Sequence, residues 1–120
     1  MSCHQDMALG DAFWEALDRL LAISRLVVDR AAASSHPHYP DLIYPLDYGY
    51  LQDTQSMDGD GINVWIGSDR NAGVTGVVVT VDLTKRDAEI KILLDCTSEQ
   101  MERIHVFHSG GMQSSLLLTR

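Results

Sequence analysis

Cysteine is scarce in this chain of 120 residues, and the scarcity excludes two classes of small protein. The two cysteines, Cys3 and Cys96, form neither a Cys-x-x-Cys motif nor part of a zinc ligand set. Disulfide-framed domains need several paired cysteines, and structural zinc sites need clustered Cys or His ligands. We therefore expect a protein of a reducing, cytoplasmic compartment.

Positive charge is also in short supply. Nine Lys and Arg stand against 17 Asp and Glu, which gives a formal net charge of −8. Such a protein repels phosphate backbones and anionic headgroups, so we expect neither nucleic acid nor membrane as a partner. Long apolar runs and a basic-then-apolar signal arrangement are missing too, which predicts a soluble protein.

What the chain does contain is the composition of one globular domain, 45% hydrophobic and 22% charged, over residues 1–120. After a loose end at residues 1–6, we expect Asp11 to cap a helix that runs through about Ile23. A second helix begins at a capping box, Thr97 with Gln100, and runs to about Phe107. The apolar face of the first helix is formed by Phe13, Leu17, Leu20 and Leu21.

Short strand-like segments separated by turn residues fill the space between and after these helices. The pattern predicts a small antiparallel barrel rather than alternating strands and helices. A loop over residues 31–40 joins the first two strands. The strand-like segments are 26–28, 48–51, 62–66, 74–81, 88–94 and 114–118.

An acidic, glycine-rich turn precedes the third strand. Asp58 and Asp60 stand at i and i+2, so their oxygens can approach one small cavity from different directions. Magnesium takes oxygen ligands and keeps several waters, so one or two carboxylates suffice to bind it. Gly59 and Gly61 let the backbone fold closely around an ion. The alternative is an ordinary surface turn, since Asp and Gly are common turn formers.

A second acidic cluster lies at the predicted turn between two strands. Asp82 ends a β-branched run and Asp87 begins the next strand, with Lys85 and Arg86 between them. Carboxylates and cations at one hairpin tip suit a site for metal and phosphate together. The alternative is a solvated hairpin tip.

Both clusters fit one known pattern. The segment 44–50, Tyr-Pro-Leu-Asp-Tyr-Gly-Tyr, followed by Asp-Gly-Asp, resembles the core of the soluble family I inorganic pyrophosphatases. Gly61 stands where that family has proline, and Asn63 where it has its last aspartate. The pair Asp82 and Asp87 also matches the family, while Glu89 replaces its lysine. The resemblance covers roughly residues 29–94.

The resemblance implies a five-stranded OB-like barrel, with an N-terminal helix and a short C-terminal helix, that hydrolyses pyrophosphate to two phosphates. It implies Mg²⁺, or Mn²⁺, as the cofactor, which also suits an acidic protein with an anionic substrate, and we expect a homo-oligomer. The implied metal ligands are Asp58, Asn63, Asp82 and Asp87. The implied catalytic residues are Asp60, on the attacking water, and Tyr48. The implied phosphate ligands are Arg30, Tyr44, Tyr48 and Lys85, with Arg86 as a second substitute for the missing lysine.

Two other functions stay open at the sequence level. The missing lysine and a shortened C-terminus would make room for a larger diphosphate, such as a nucleotide or sugar derivative. Alternatively, the domain is a non-catalytic relic that binds metal or phosphate. The family's C-terminal Tyr-Lys phosphate ligands have no counterpart here, which makes His36 and His38 candidates for a phosphate contact.

Overall fold

The computed structural model describes residues 3–56 and 59–120, with the first helix given as backbone only before residue 9. This part of the chain forms two helices and six strands, and the protein is mainly β, as the sequence predicts. In chain order they are α1 (Cys3–Ala22), β1 (Leu26–Arg30), β2 (Asp47–Leu51), β3 (Asn63–Ile66), β4 (Val74–Asp82), β5 (Asp87–Leu94), α2 (Ser98–Phe107) and β6 (Gln113–Thr119).

The strands form one mixed sheet in the order β1-β2-β3-β5-β4-β6. Neighbouring strands are antiparallel except β3 and β5, which run parallel through Val64–Ile92, Trp65–Leu93 and Ile66–Leu94. Strand β4 forms a hairpin with β5 on the far side from β3. The chain therefore reverses twice before β5 pairs with β3, which makes this pair parallel.

The sheet is open, with six strands, whereas the sequence predicted a five-stranded, all-antiparallel barrel. Strand β6 extends the sheet at one edge, and β1 forms the other edge. Strand β6 pairs with β4 from Gly76–Thr119 to Asp82–Gln113. Each strand has two hydrogen-bonding edges, and those of β4 are filled by β5 and β6. No edge of β4 is left for β1 to close a barrel within the described residues.

Helix α1 begins at Cys3, so the prediction of a loose end is wrong over residues 3–6, residues 1 and 2 lying outside the described part, and the prediction of Asp11 as the cap is wrong as well. Good helix formers such as Met7, Ala8 and Leu9 continue the helix before Asp11, which lies in its interior. The helix packs on one face of the sheet. Leu17 is buried there with Leu51, Val64, Val74, Val77 and Ile92.

Helix α2 packs on the opposite face through Met101 and Ile104. The predicted capping box is confirmed: the Thr97 hydroxyl accepts from the Gln100 amide at 3.2 Å, and the Gln100 side chain accepts from the Thr97 amide at 3.0 Å. Trp65, Val78 and Leu93 belong to this second core. Neither helix combines the length and apolar composition needed to cross a bilayer, so far as the chain is described.

Candidate functional site

A cavity of about 680 Å³ lies on the α2 side of the sheet, beyond the core under that helix. Asp82 pairs with Asp87 and Thr80 with Glu89 across the β4–β5 hairpin. Opposite residues on paired strands share a face, and so do residues two apart along one strand. This alternation brings Thr80, Asp82, Asp87, Glu89 and Lys91 to the cavity wall.

The tip of the hairpin is held by one carboxylate. Asp82 Oδ1 accepts from the backbone amides of Thr84 at 2.9 Å and Lys85 at 3.1 Å. Arg86 then takes a positive φ of 59°. The turn brings Lys85 to the cavity, while Arg86 is not among the described residues that line it.

Lys91 connects the strands that build the site. Its side chain is only 8% exposed, and its ammonium donates to Tyr48 Oη at 2.8 Å, Glu89 Oε2 at 3.1 Å and Asn63 Oδ1 at 3.3 Å. Glu89 is equally buried and forms an ion pair with it. Sequence reasoning missed Lys91. Strand alternation could have found it, because it lies two residues after Glu89 on the same face.

Asn63 uses both ends of its amide group. Its Nδ2 donates to the Gly49 carbonyl at 3.2 Å, and its Oδ1 accepts from Lys91. A Cβ at Gly49 would lie 2.1 Å from the Val27 carbonyl oxygen. The close approach of β1 to β2 at this position therefore requires glycine. The side-chain ammonium group of Lys91 thus contacts the Asn63 oxygen. The role of Asn63 as a metal ligand stays a prediction.

Stacked and edge-on aromatic rings form another wall of the cavity. The Tyr48 ring centroid lies 4.3 Å from that of Trp65 and 5.6 Å from that of Tyr44. Phe107 of α2 meets Trp65 edge-on at 5.3 Å. Tyr44 is 6% exposed and belongs to the core as well as to the cavity. The tyrosine positions are therefore fixed by packing.

His108 is a buried, neutral histidine in the same wall. Its Nε2 accepts a hydrogen bond from Trp65 Nε1 at 3.1 Å, so the ring proton lies on Nδ1. Burial, followed by the charge of Lys91, lowers the pKa of His108 to about 3, and a contact with the Gln113 side chain opposes this shift. Nothing in the sequence distinguished His108 from the other histidines.

The structure brings together most of the residues that the sequence singled out, but not all of them. Arg30 and Asp60 are not among the described residues that line the cavity. Asp60 is exposed in a tight turn, where its carbonyl accepts from the Ser56 amide at 2.8 Å. Asp58 lies outside the described residues. Those that line the cavity are His36, Tyr44, Tyr48, Asn63, Asp82, Lys85 and Asp87, whereas His38 is not among its described lining residues.

The turn before β3 also explains a departure from the family pattern. A Cβ on Gly61 would lie 2.7 Å from the Leu51 carbonyl oxygen and 2.9 Å from the Tyr50 ring. The proline that the family carries at this position would therefore collide with β2 unless the backbone shifted.

The described residues contain no group of three or more His, Cys, Asp or Glu side chains that could hold a metal ion. Asp82 and Asp87 are the acidic pair at the cavity rim, opposite each other in the hairpin register. Two carboxylates suit magnesium, which prefers oxygen ligands and retains water. The donor chemistry of this pair fits the implied ion, with its other ligands left to water and substrate.

These features define a mainly β protein with an open mixed sheet and a charged, aromatic-walled cavity on one face. Among solved structures, the chain is similar to an inorganic pyrophosphatase from Neisseria gonorrhoeae, with a TM-score of 0.60. The match has 16% sequence identity and covers 78% of this chain and 80% of that one. No family model and no curated protein sequence matches the chain. The likeness shows a pyrophosphatase-like fold.

Proposed function

We propose that this protein hydrolyses inorganic pyrophosphate to two phosphates with the help of magnesium. The observation that carries the proposal is the grouping of Tyr44, Tyr48, Asp82 and Asp87 around one cavity. These residues come from two separate sequence motifs more than 30 positions apart. Their grouping on a pyrophosphatase-like fold supports a common role toward one ligand.

The charges in the cavity favour a requirement for a divalent cation. Asp82, Asp87 and Glu89 supply three carboxylates, against the ammonium groups of Lys85 and Lys91. His108 adds no positive charge near neutral pH, because its pKa is lowered. An anionic diphosphate would meet a net negative wall, so a bridging cation is needed to bring the two together.

Asp82 and Asp87 would hold the magnesium. When bound, such an ion neutralises phosphate charge and lowers the pKa of coordinated water. Manganese would serve in the same oxygen site. The Asp82 oxygen that caps the hairpin turn keeps this carboxylate oriented without any ion, because two backbone amides fix it.

Tyr48 and Lys85 would bind phosphate oxygens. Lys91 donates to the Tyr48 oxygen, which polarises the hydroxyl and strengthens it as a donor. Lys85 is exposed and brings a second ammonium group to the cavity. The ion pair with Lys91 compensates the charge of Glu89, the residue that stands in the place of the family's missing lysine.

Asp60 is our candidate for the residue that orients or deprotonates the attacking water, and Arg30 for an additional phosphate ligand. Both stay predictions from the family pattern, as do Asp58 and Asn63 as metal ligands and the homo-oligomeric state. Arg30 is close enough to the cavity for its charge to lower the pKa of His36, behind the larger effects of burial and His38.

The test is phosphate release from pyrophosphate by purified protein, with Mg²⁺ or Mn²⁺ added or chelated. We expect activity that is lost with EDTA and restored by either metal. Asp87→Asn removes one cavity carboxylate while keeping its shape and should reduce turnover by at least about 100-fold if it holds the ion.

Asp53→Asn is the matched control. Asp53 is exposed, does not line the cavity and has a φ of 62°, a conformation that asparagine adopts readily. Equal activity of both variants would contradict the proposed site. A folded wild-type protein that binds Mg²⁺ and pyrophosphate but releases no phosphate would favour the non-catalytic relic.

A further inference from the structure

The cavity is larger than pyrophosphate requires. Its volume of about 680 Å³ lies within the range of roughly 300–1,000 Å³ that drug-sized organic ligands occupy. A pyrophosphate ion consists of two phosphate groups and would contact only the charged part. The rest of the wall combines polar side chains with a group of aromatic and apolar ones, and this second group suits an organic ring.

That part of the wall is built by the loop over residues 31–44. We call its cavity-lining side chains, His36, Tyr39, Leu42 and Tyr44, the aromatic shelf. Backbone bonds close the loop on itself: the His36 amide donates to the Leu42 carbonyl at 2.8 Å, and the Tyr44 amide to the Ser34 carbonyl at 2.9 Å. The shelf is therefore held in place before any ligand arrives.

The rings of the shelf are arranged for stacking. His36 lies nearly parallel to Tyr44, with an interplanar angle of 12° and centroids 6.0 Å apart, and its centroid is 5.1 Å from that of Tyr39. Tyr39 is 65% exposed and Leu42 is 38% exposed, although both line the cavity. A flat ring placed against Tyr39 would bury apolar surface that now contacts water.

The shelf adjoins the charged part of the cavity. The charge of Lys85 reaches His36, where it lowers the pKa together with His38, Arg30 and, above all, burial. A neutral imidazole is suited to stacking rather than to pairing with phosphate. A ligand that bridges both parts needs a flat ring at one end and a diphosphate at the other.

We infer that the site accepts a nucleoside diphosphate, with the base on the aromatic shelf at Tyr39 and the diphosphate beside Lys85, Asp82 and Asp87. This inference rests on the proposed function. In the reaction, a water oxygen bonds to the terminal phosphorus and the bond from that phosphorus to the bridging oxygen breaks. The bridging oxygen keeps the electron pair and leaves with the nucleoside monophosphate. The water protons pass to inorganic phosphate and to solvent.

Calorimetric titration in Mg²⁺ tests the inference without relying on turnover. The ligands are adenosine and uridine diphosphate, with pyrophosphate as the ligand that lacks a ring. Tyr39→Ala should weaken binding of the nucleoside diphosphates by roughly tenfold, the effect of losing one base-stacking ring, and leave pyrophosphate binding within about twofold. Tyr39→Phe should bind like the wild type because it keeps the ring.

Ile43→Ala is the matched control in the same loop. Ile43 is 48% exposed but is not among the described residues that line the cavity, so its loss should change no affinity. Unchanged nucleoside diphosphate affinity in Tyr39→Ala would overturn the inference. So would an equal loss for pyrophosphate, because that would reflect damage to the loop.

Phosphate release separates this inference from the proposed function. The inference is overturned and the proposed function stands if the protein hydrolyses pyrophosphate but its affinity for nucleoside diphosphates is unchanged by Tyr39→Ala. Nucleoside diphosphate binding that depends on Tyr39, without phosphate release from any substrate, overturns the proposed hydrolysis and supports the ring site.

Discussion

Lys91 shows how one buried charge organises the site. Its ammonium has three donors, and Tyr48, Asn63 and Glu89 each accept from it. The carboxylate of Glu89 is as buried as the ammonium, so the two charges depend on each other. Removing one partner of such a pair leaves an uncompensated buried charge, which is far more destabilising than removing both.

Lys91→Met should therefore lower the free energy of unfolding by about 3–5 kcal/mol, measured by urea denaturation. The double variant with Glu89→Gln should recover a substantial part of that loss, because neither buried charge remains. A loss well under 1 kcal/mol in the single variant would show that water reaches the pair.

His108 predicts a pH dependence of stability. Its pKa is about 3 in the folded protein and 6.5 ordinarily, so the folded state binds fewer protons than the unfolded state between these values. The contribution of the neutral His108 side chain to the free energy of unfolding is therefore full above pH 6.5 and is lost as the pH falls toward 3. Between pH 6 and 4 the loss should approach about 1.4 kcal/mol per pH unit.

The measurement is the urea midpoint as a function of pH, compared with that of His108→Gln. Glutamine keeps a carbonyl acceptor for the Trp65 N–H but does not titrate in this range. The wild type should lose stability more steeply than the variant below pH 6.5. Parallel pH profiles would show that His108 can be protonated without disturbing the fold.

Sequence patterns located the site residues better than their roles. Asp82 and Asp87 could be expected at one place because a hairpin turn joins them. The sequence does not predict the pairing of Lys91 with Glu89, because the position that carries lysine in the family pattern holds Glu89 here. A lysine two residues from its usual position on a strand faces the same side, so its ammonium can act in the same cavity.

At the scale of elements, each strand and helix followed from local signals, while the boundaries and pairings did not. The capping box at Thr97 marks the start of α2 correctly because its hydrogen bonds lie within one turn. The start of α1 was missed because Asp11 could act as a cap, yet the preceding residues are equally helical. The prediction of a closed barrel was wrong because the pairing of two strands depends on which edges of the sheet other strands already occupy.

The docking of α1 depends on Leu17, which is 9% exposed against the sheet. Leu17→Ala should lower the free energy of unfolding by about 2–5 kcal/mol, through lost burial and a cavity. Ile23→Ala, just past the helix at 82% exposure, is the control and should change little. A urea midpoint unchanged by Leu17→Ala would mean that α1 contributes nothing to the core.

The cap of α2 also secures a loop after β3. Gln100 accepts from the Ser68 amide at 3.1 Å and donates to the Ser68 hydroxyl at 2.9 Å. Thr97→Ala removes the side-chain acceptor and should lower the free energy of unfolding by about 1 kcal/mol. Ser98→Ala, at the exposed next position, should have a much smaller effect. Equal effects of the two changes would contradict a capping role.

At the scale of the whole molecule, the cavity is formed by two parts of the sheet. One part of the wall comes from β2 and β3, with Tyr48 and Trp65, and the adjoining part comes from the β4–β5 hairpin, because β5 pairs with β3 in the same sheet. The cavity lies beside the core under α2, and Tyr44 and Trp65 belong to both. The charged groups of the cavity therefore lie next to packed core side chains. The fold is pyrophosphatase-like, although the chain shares only 16% identity with the solved structure it resembles.

The parallel pairing of β3 with β5 has a consequence for motion. Only three register pairs join these strands, while the β4–β5 hairpin has eight. In native-state hydrogen exchange we expect the backbone amides between β3 and β5 to open at a lower free energy than those of the hairpin, as a separate cooperative unit. A ligand that contacts both walls should slow exchange at this boundary most. Uniform slowing over the whole sheet would instead mean that the protein opens only as one unit.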